Sequence, residues 1–374
     1  MSVTINGTGN TITPVTVNTT GSVNGITPQA SNMQPFNRII NGAMTIDQRN
    51  AGAAFSVTDG AYCLDRWWGY SSQASKYTVQ QNAGSVTPPV GFSNYLGVTV
   101  TSSVTVGGGD YFSQSQKIEA YNIADLNWGT ANAKTVTLSF WVYSSLTGTF
   151  GGGLRNGNNS YSYPFAYTIL SANTWEQKTI TVTGPTSGTW TTTNAIGVGV
   201  FFGLGVGSTY TATAGSWQSG NYISATGVVS VVGTSGATFY ITGVQLEAGS
   251  TASSFAHEDY GTTLQKCQRY YQTASVMWGV AYSSTQTAFM YKPSVTMRSL
   301  PTLPQPTAPV YIDKPGNYDK YQSSANVTIG GNTNTYSGTG NGFMIYCDNF
   351  SGMVAGDMIH MRGEGGVICF NSEL

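Results

Sequence analysis

From Leu96 onward, segment after segment of this chain alternates apolar with polar or small residues at a period of two, and no helical spacing intervenes before Thr262. Leu96, Val98 and Val100 alternate with Gly97, Thr99 and Thr101, and Leu138, Phe140 and Val142 with Ser139, Trp141 and Tyr143. Tyr163, Phe165, Tyr167 and Ile169 share a face, as do Ile180 and Val182, and then Ile196, Val198, Val200 and Phe202. Successive side chains of a strand point to opposite sides, so each segment has one face suited to a core. Gly, Pro and Asn turns between such segments predict an all-β chain whose body is an antiparallel β-sandwich. About eight such strands suit a jelly roll. Gly197 and Gly199, behind the Ile196 to Phe202 face, predict a bulge or the close approach of another backbone.

The period changes within Phe239 to Gln272. Phe239 to Leu246 has the β-branched and aromatic density of a buried strand. Thr262 with Gln265 then fits a capping box, and Leu264, Cys267 and Tyr271 fall on one helical face. The expected division is an extended segment over 1–35, a sandwich over 36–260, a short helical joint over 261–273 and a smaller C-terminal β domain over 274–374. In that last part, Val276 to Tyr282, Thr287 to Tyr291, GFMIYCDNF and GGVICFNSEL read as strands, and a Pro-rich spacer and a polar Tyr-, Asn- and Gly-rich insertion lie between them. Residues 2–34 are too poor in large apolar groups to bury a core. They read as strand added to a partner or as a disordered leader.

Charged residues make up 8% of the 374, against about 25% in ordinary soluble domains, which leaves a surface of hydroxyls and amides. Fifteen basic and sixteen acidic residues nearly cancel and form no runs, so nucleic acid is not an expected partner. Nowhere do 18 apolar residues run together, so membrane insertion is not expected either, and the N-terminal MSVTINGTGNT does not read as a signal peptide. Cys63, Cys267, Cys347 and Cys369 lack CxxC spacing. They read as buried free thiols, with a Cys347 to Cys369 bridge as the alternative.

Enzymatic patterns are sparse. His257 and His360 lie far apart, there is no GxSxG, HExxH or EF-hand pattern, and the GLGVG at Gly203 to Gly207 precedes no Lys-Ser/Thr. Glu258 and Asp259 are adjacent and would point to opposite sides of an extended segment. Asp110, Glu119 and Glu176, brought together from different strands, are the remaining route to glycosidic chemistry. The expectation is a non-catalytic chain with no cofactor.

Saccharide recognition needs flat aromatic faces flanked by amides and hydroxyls. The best candidates are Trp141 and Tyr143, the loop carrying Arg155, Asn156, Asn158, Asn159 and Tyr161, and Trp175; the competing reading is that these aromatics are core. Trp67 and Trp68 fall on opposite faces of one strand, so at most one is exposed.

The order NRIINGAMTIDQRNAG, DRWWGYS, TLSFWVYSS, SYPFAYTILSANTWEQKTITV, FYITGVQLEAGSTASSFAHEDYGTTLQKCQRYYQ, MRSLPT and GGVICFNSEL resembles a phage tail-fibre or receptor-binding family whose body is similar to a carbohydrate-binding-module jelly roll. The likeness is strong over Phe36 to Tyr271 and moderate over Thr273 to Leu374, and its most specific pieces are DRWW and the VQLEAG to RYY run. It implies a homotrimeric virion protein, assembled in the host cytoplasm, that docks to a tail or head protein through residues 1–35 and contacts a host surface glycan. The alternatives are a capsid-attached fibre or decoration protein and a polysaccharide-degrading tailspike. The last strand of such modules often carries an acidic residue associated with a structural calcium; Tyr240, Ile241, Thr242 and Gly243 stand there instead, which argues against calcium. Within a fibre, Tyr311, Tyr318, Tyr321, Asn326, Asn332 and Tyr336 of the polar insertion become candidates for distal receptor contact. Leu264, Cys267, Tyr270 and Tyr271 become candidates for trimer contact.

Overall fold

The computed structural model describes residues 36–274, 276–281, 283–302, 310–314, 317–323, 327–329, 342–347, 355–363 and 368–374. The 1–35 segment, with its expected docking role, lies outside them. The body runs through β1 (Phe55–Ser56), β2 (Tyr62–Leu64), β3 (Trp67–Ser71), β4 (Tyr77–Gln81), β5 (Leu96–Val100), β6 (Tyr111–Glu119), β7 (Val136–Ser144), β8 (Gly148–Asn156), β9 (Tyr161–Ile169), β10 (Glu176–Val182) and β11 (Ile196–Val206). It continues through the short β12 (Thr211–Ala212), β13 (Gln218–Ser219) and β14 (Ser224–Ala225) to a long β15 (Thr238–Ala248). One sheet has the order β1-β4-β5-β15-β7-β10, the other β13-β9-β8-β11-β6-β3-β2. Neighbours in both are antiparallel, so the body is the β-sandwich that the period-two pattern predicts.

The alternation sorts the side chains. Leu138, Phe140 and Val142 of the first sheet are fully buried and share one core with Phe150, Phe165, Val198, Val200 and Phe202 of the second. Ile39 and Met44 from the segment before β1 join that core. Arg38 anchors this segment by a bidentate pair with Asp125 at 2.8 and 2.9 Å.

Glycine shapes both sheets. In β15 the pairing with β7 slips between Thr242 and Gln245, and Gly243 sits in the bulge at φ +59°, where a Cβ would strike the Phe92 ring at 2.6 Å. On the outer side of the second sheet, Gly153, Gly203 and Gly205 leave room for the 220–232 crossing segment. A Cβ would come within 3.1 Å of Ile223 main chain, 2.8 Å of Ser224 Oγ and 2.5 Å of Val232 respectively. Gly197 behaves as its position predicts: a Cβ there would stand 2.7 Å from the Ala120 Cα, and the β11–β6 register shifts beside it.

The helix α1 (Tyr260–Gln268) starts earlier than the expected cap. Asp259 Oδ1 accepts from the Thr262 amide at 2.9 Å, so the carboxylate three residues upstream takes the N-cap role assigned to Thr262. Tyr271 leaves the helix and opens β16 (Tyr271–Ala274), which pairs with the last strand. The C-terminal unit adds β17 (Val276–Ala281), β18 (Thr287–Tyr291), β19 (Val310–Lys314), β20 (Asn317–Ser323), β21 (Val327–Ile329), β22 (Phe343–Cys347), β23 (Met358–Gly363) and β24 (Ile368–Asn371). Seven of them form an antiparallel sheet in the order β20-β19-β23-β17-β18-β22-β21, and β16 and β24 form a separate ribbon. Tyr311, Tyr318 and Tyr321 therefore stand on paired strands and not in a polar loop, with Tyr311 opposite Gln322 and Tyr321 opposite Ile312. Asn326, Asn332 and Tyr336 lie outside the described residues. Cys347 stands opposite Thr287 in the seven-stranded sheet, whereas Cys369 stands opposite Thr273 in the separate ribbon, with Tyr271 Oη 2.9 Å from its sulfur.

The motifs most specific to the resemblance meet at the joint. Arg66 of DRWW stands over the Tyr270 ring at 3.6 Å, donates to the Lys117 carbonyl at 2.5 Å and pairs with the Glu373 carboxylate. Arg49 stands over Tyr271 at 3.8 Å and reaches the same carboxylate at 3.0 Å. Tyr270 Oη donates to Glu119 at 2.7 Å, and Arg269 grips Glu119 at 2.6 and 3.0 Å. Cys267, Tyr270 and Tyr271 are thus buried within their own chain, and their expected role in trimer contact gives way to packing of the joint. Leu264, half-buried, is the one of the four that keeps exposed surface.

Candidate glycan-binding faces

The pairing of β10, β7 and β15 sets Trp175, Tyr143 and Tyr240 side by side on the outer face of the first sheet. Glu176 pairs with Val142, which puts Trp175 beside Tyr143, and Tyr143 pairs with Tyr240. The ring centroids are 5.4 Å apart for Trp175 and Tyr143, and 5.2 Å for Tyr143 and Tyr240, whose planes are 5° apart. Tyr95 stacks on Tyr240 at 5.1 Å, and the Trp175 indole N–H is fixed on the Thr87 carbonyl at 2.9 Å. Trp141 lies two residues along β7, opposite the exposed Gln177 and against the bulge at Gly243. Trp141, Tyr143 and Trp175 are each half-buried, so each keeps ring surface open to solvent while its base is packed.

The other expected members lie elsewhere. Arg155 is on β8, on the opposite outer face of the sandwich. Asn156 is consumed locally: its Oδ1 accepts from the Ser160 and Tyr161 amides at 2.9 and 3.0 Å, and its Nδ2 donates to Thr189. Asn158 and Asn159 are exposed, the latter at φ +61° in the tight turn. Asn158 lines a pocket of about 410 Å³ with Thr189, Thr191, Ile196 and Arg298. Tyr161 stacks at 5.6 Å on Trp217, which with Trp190 and Trp128 plugs one end of the core. The expected site is therefore three places, of which only the Trp141, Tyr143 and Trp175 set is brought together. Tyr240 and Tyr95, which are buried and form the floor beneath these rings, were missed there, although continuing the alternation of β15 opposite β7 puts Tyr240 on that face.

The outer face of the second sheet carries Trp68, Phe201 and Ile223, packed with Tyr62, Tyr70, Tyr111 and Tyr210. Tyr70 and Tyr111 stack at 4.1 Å. Both Trp67 and Trp68 are buried, because Lys117, 4.0 Å over the Trp68 ring, helps to cover the outward one. Arg155 lies over Phe201 at 4.5 Å and donates to Asn221 Oδ1. Burial pulls Lys117 down to about 8, helped by the charges of Arg155, Arg66 and Arg298. Burial likewise lowers Arg155 and raises Tyr70; with Asp59 adding to it, burial raises Tyr111 to about 12.

Asp110, Glu119 and Glu176 do not assemble. Asp110 accepts from the Gly107 amide and Ser72 Oγ before β6, Glu119 serves the joint, and Glu176 accepts from the Leu170 and Ser171 amides beside Lys178. Asp110 is held below the usual carboxylate range chiefly by the Gly107 amide. For Glu119 and Glu176 burial pushes upward but is outweighed by hydrogen bonds, from Arg269 and Tyr270 in one and from Lys178 and main-chain amides in the other. A general acid needs the opposite shift. Among the described residues no group of three or more His, Cys, Asp or Glu could hold a metal ion, and no helix is long and apolar enough to cross a membrane.

No family model matches the sequence, and no curated protein does. Solved structures similar to the chain include the enzymatically active domain of tailspike protein 4 of bacteriophage CBA120, at 14% identity over 52% of this chain and TM-score 0.29. The match spans 21% of that tailspike chain. They also include a family 61 carbohydrate-binding module in complex with β-1,4-galactotriose, at 10% identity over 57% of this chain and 99% of the other, TM-score 0.30. The family 11 module of a Clostridium thermocellum cellulase matches at 16% identity over 53% and 96%, TM-score 0.26.

Proposed function

We propose that the protein is a non-catalytic virion fibre that attaches a phage to its host by binding a surface glycan on the outer face of the first sheet. The observation that carries this reading is the set of Trp175, Tyr143 and Trp141, partly open, rigidly seated on the buried Tyr240 and bordered by the Gln177 amide and strand hydroxyls. Such rings stack on the C–H faces of sugars while amides and hydroxyls meet the ring hydroxyls. The low charge of the chain and the resemblance of its motifs to tail-fibre proteins support the virion half of the proposal. A homotrimer would multiply a weak single-site affinity.

Adhesion of the full chain to host cells, measured with Trp175→Ala and Trp141→Ala, tests it. The expected result is at least a tenfold loss of binding with unchanged far-ultraviolet dichroism; undiminished adhesion in both variants overturns the site. Incubation with host polysaccharide and a reducing-end assay should show no turnover. Release of reducing ends would favour the tailspike reading.

A further inference from the structure

Six ion pairs are formed among the described residues, and neither Lys117 nor Arg155 belongs to one. Both are on the outer face of the second sheet and both flank Gly199, which pairs with Lys117 on one side and Arg155 on the other. Arg155 is only 6% exposed, yet its hydrogen bonds go to neutral groups, the Asn221 amide oxygen and the Tyr70 hydroxyl. Lys117 Nζ donates to the main-chain oxygen of Leu374 at 2.7 Å. Asp59, the acid at this edge, is engaged by Tyr111 Oη and the Ser71 amide at 3.1 Å each. The Trp68 indole N–H is buried without an acceptor on the same face. A desolvated cation without a counter-charge is costly. Arg155 is one here, and Lys117 stands beside it over the Trp68 ring, its ammonium shared with the oxygen of Leu374, the last residue.

We propose that this face is a second saccharide site, selective for acidic sugars, in which the Arg155 guanidinium and the Lys117 ammonium hold the carboxylate or phosphate of the sugar beside the Tyr70 and Trp68 rings. Planar, weakly hydrated guanidinium groups suit such anions, and rings of this kind suit the sugar that carries them. The site is independent of the neutral row on the first sheet and differs from it in chemistry.

Calorimetric titration of the full chain with D-glucuronate, D-glucose 6-phosphate, D-glucose and inorganic phosphate tests the proposal. At least one of the acidic sugars should bind tenfold or more tighter than glucose and tighter than inorganic phosphate, with affinity falling as NaCl rises; which of the two wins assigns the anion. Lys117→Gln, at a half-buried position outside the sandwich core, should weaken that binding at least tenfold. Arg155→Gln should do the same and Arg155→Lys should weaken it less. Trp175→Ala should leave it unchanged, which separates this site from the first-sheet site. Equal binding of glucose, binding of inorganic phosphate as tight as that of the phosphosugar, no binding by either acidic sugar, or unaltered binding in Lys117→Gln would each overturn it.

Discussion

The two outward faces of the sandwich are both aromatic, but they set different partners beside their rings. On the first sheet Trp175, Tyr143, Tyr240 and Trp141 are bordered by amides and hydroxyls. On the second, Trp68, Tyr70 and Phe201 lie beneath Lys117 and Arg155. The first face is tied down by its own sheet, through cross-strand pairs and the Thr87 carbonyl. The second is covered by remote chain: the 220–232 segment over its glycines, and the last residues of the chain against Lys117 and Tyr62. Neutral stacking surface is thus carried by local pairing, while the charged surface exists only once distant parts of the chain have come home.

That contrast can be broken most severely at Glu373. Glu373→Ala leaves Arg66 and Arg49 without their carboxylate in a buried setting, a loss of about 3–5 kcal/mol, to be read as a fall in melting temperature, whereas Glu373→Gln should lose less. Gly153→Ala comes next: a Cβ 3.1 Å from the Ile223 main chain should cost about 1–3 kcal/mol and speed proteolysis within 215–230, with adhesion through the first face preserved. Trp175→Ala should weaken adhesion tenfold, about 1.4 kcal/mol, without lowering stability as Glu373→Ala does.

The smallest effects are those of pH. Lys117, facing Arg155, Arg66, Arg298 and Asp59, has a folded value of about 8 against 10.5. Between those values the unfolded chain holds a proton that the folded chain does not, so this residue makes stability rise with pH, a slope that Lys117→Met should remove. Tyr111 and Tyr270, raised to about 12 from 10, act in the opposite sense, and their contribution is lost as pH climbs from 10 to 12. Thermal melts at stepped pH read both. Through the same titration, acidic-sugar binding should decline above pH 8 while first-face adhesion stays level.

The core of the sandwich was legible because a buried strand face writes itself into alternate positions: Leu138, Phe140 and Val142 went inward, and Trp141 and Tyr143 outward, as the period requires. What alternation cannot carry is contact between distant segments. Nothing local distinguishes Tyr270 as the seat of Arg66, and Glu373 meets Arg66 across 307 positions. The hairpin of β19 and β20 escaped for a related reason, since VYIDK and NYDKYQS lack a clean apolar face. Of the candidate site, the pairing of Trp141 with Tyr143 followed from one strand and their meeting with Trp175 from the next. Assigning Arg155 to the same place failed because adjacent segments in sequence, β7 and β8, belong to opposite sheets.

The ribbon of β16 and β24 joins the C-terminal unit to the sandwich by two antiparallel strands at one place, with Arg49, Arg66 and Glu373 riveting its base. If the chain works as the proposed fibre and bears tension between a particle and a surface, this is a doubled strap in place of a single cord. A pull on the far unit is shared by both strands and handed directly to buried ion pairs, and twisting about the neck is resisted by the same bonds.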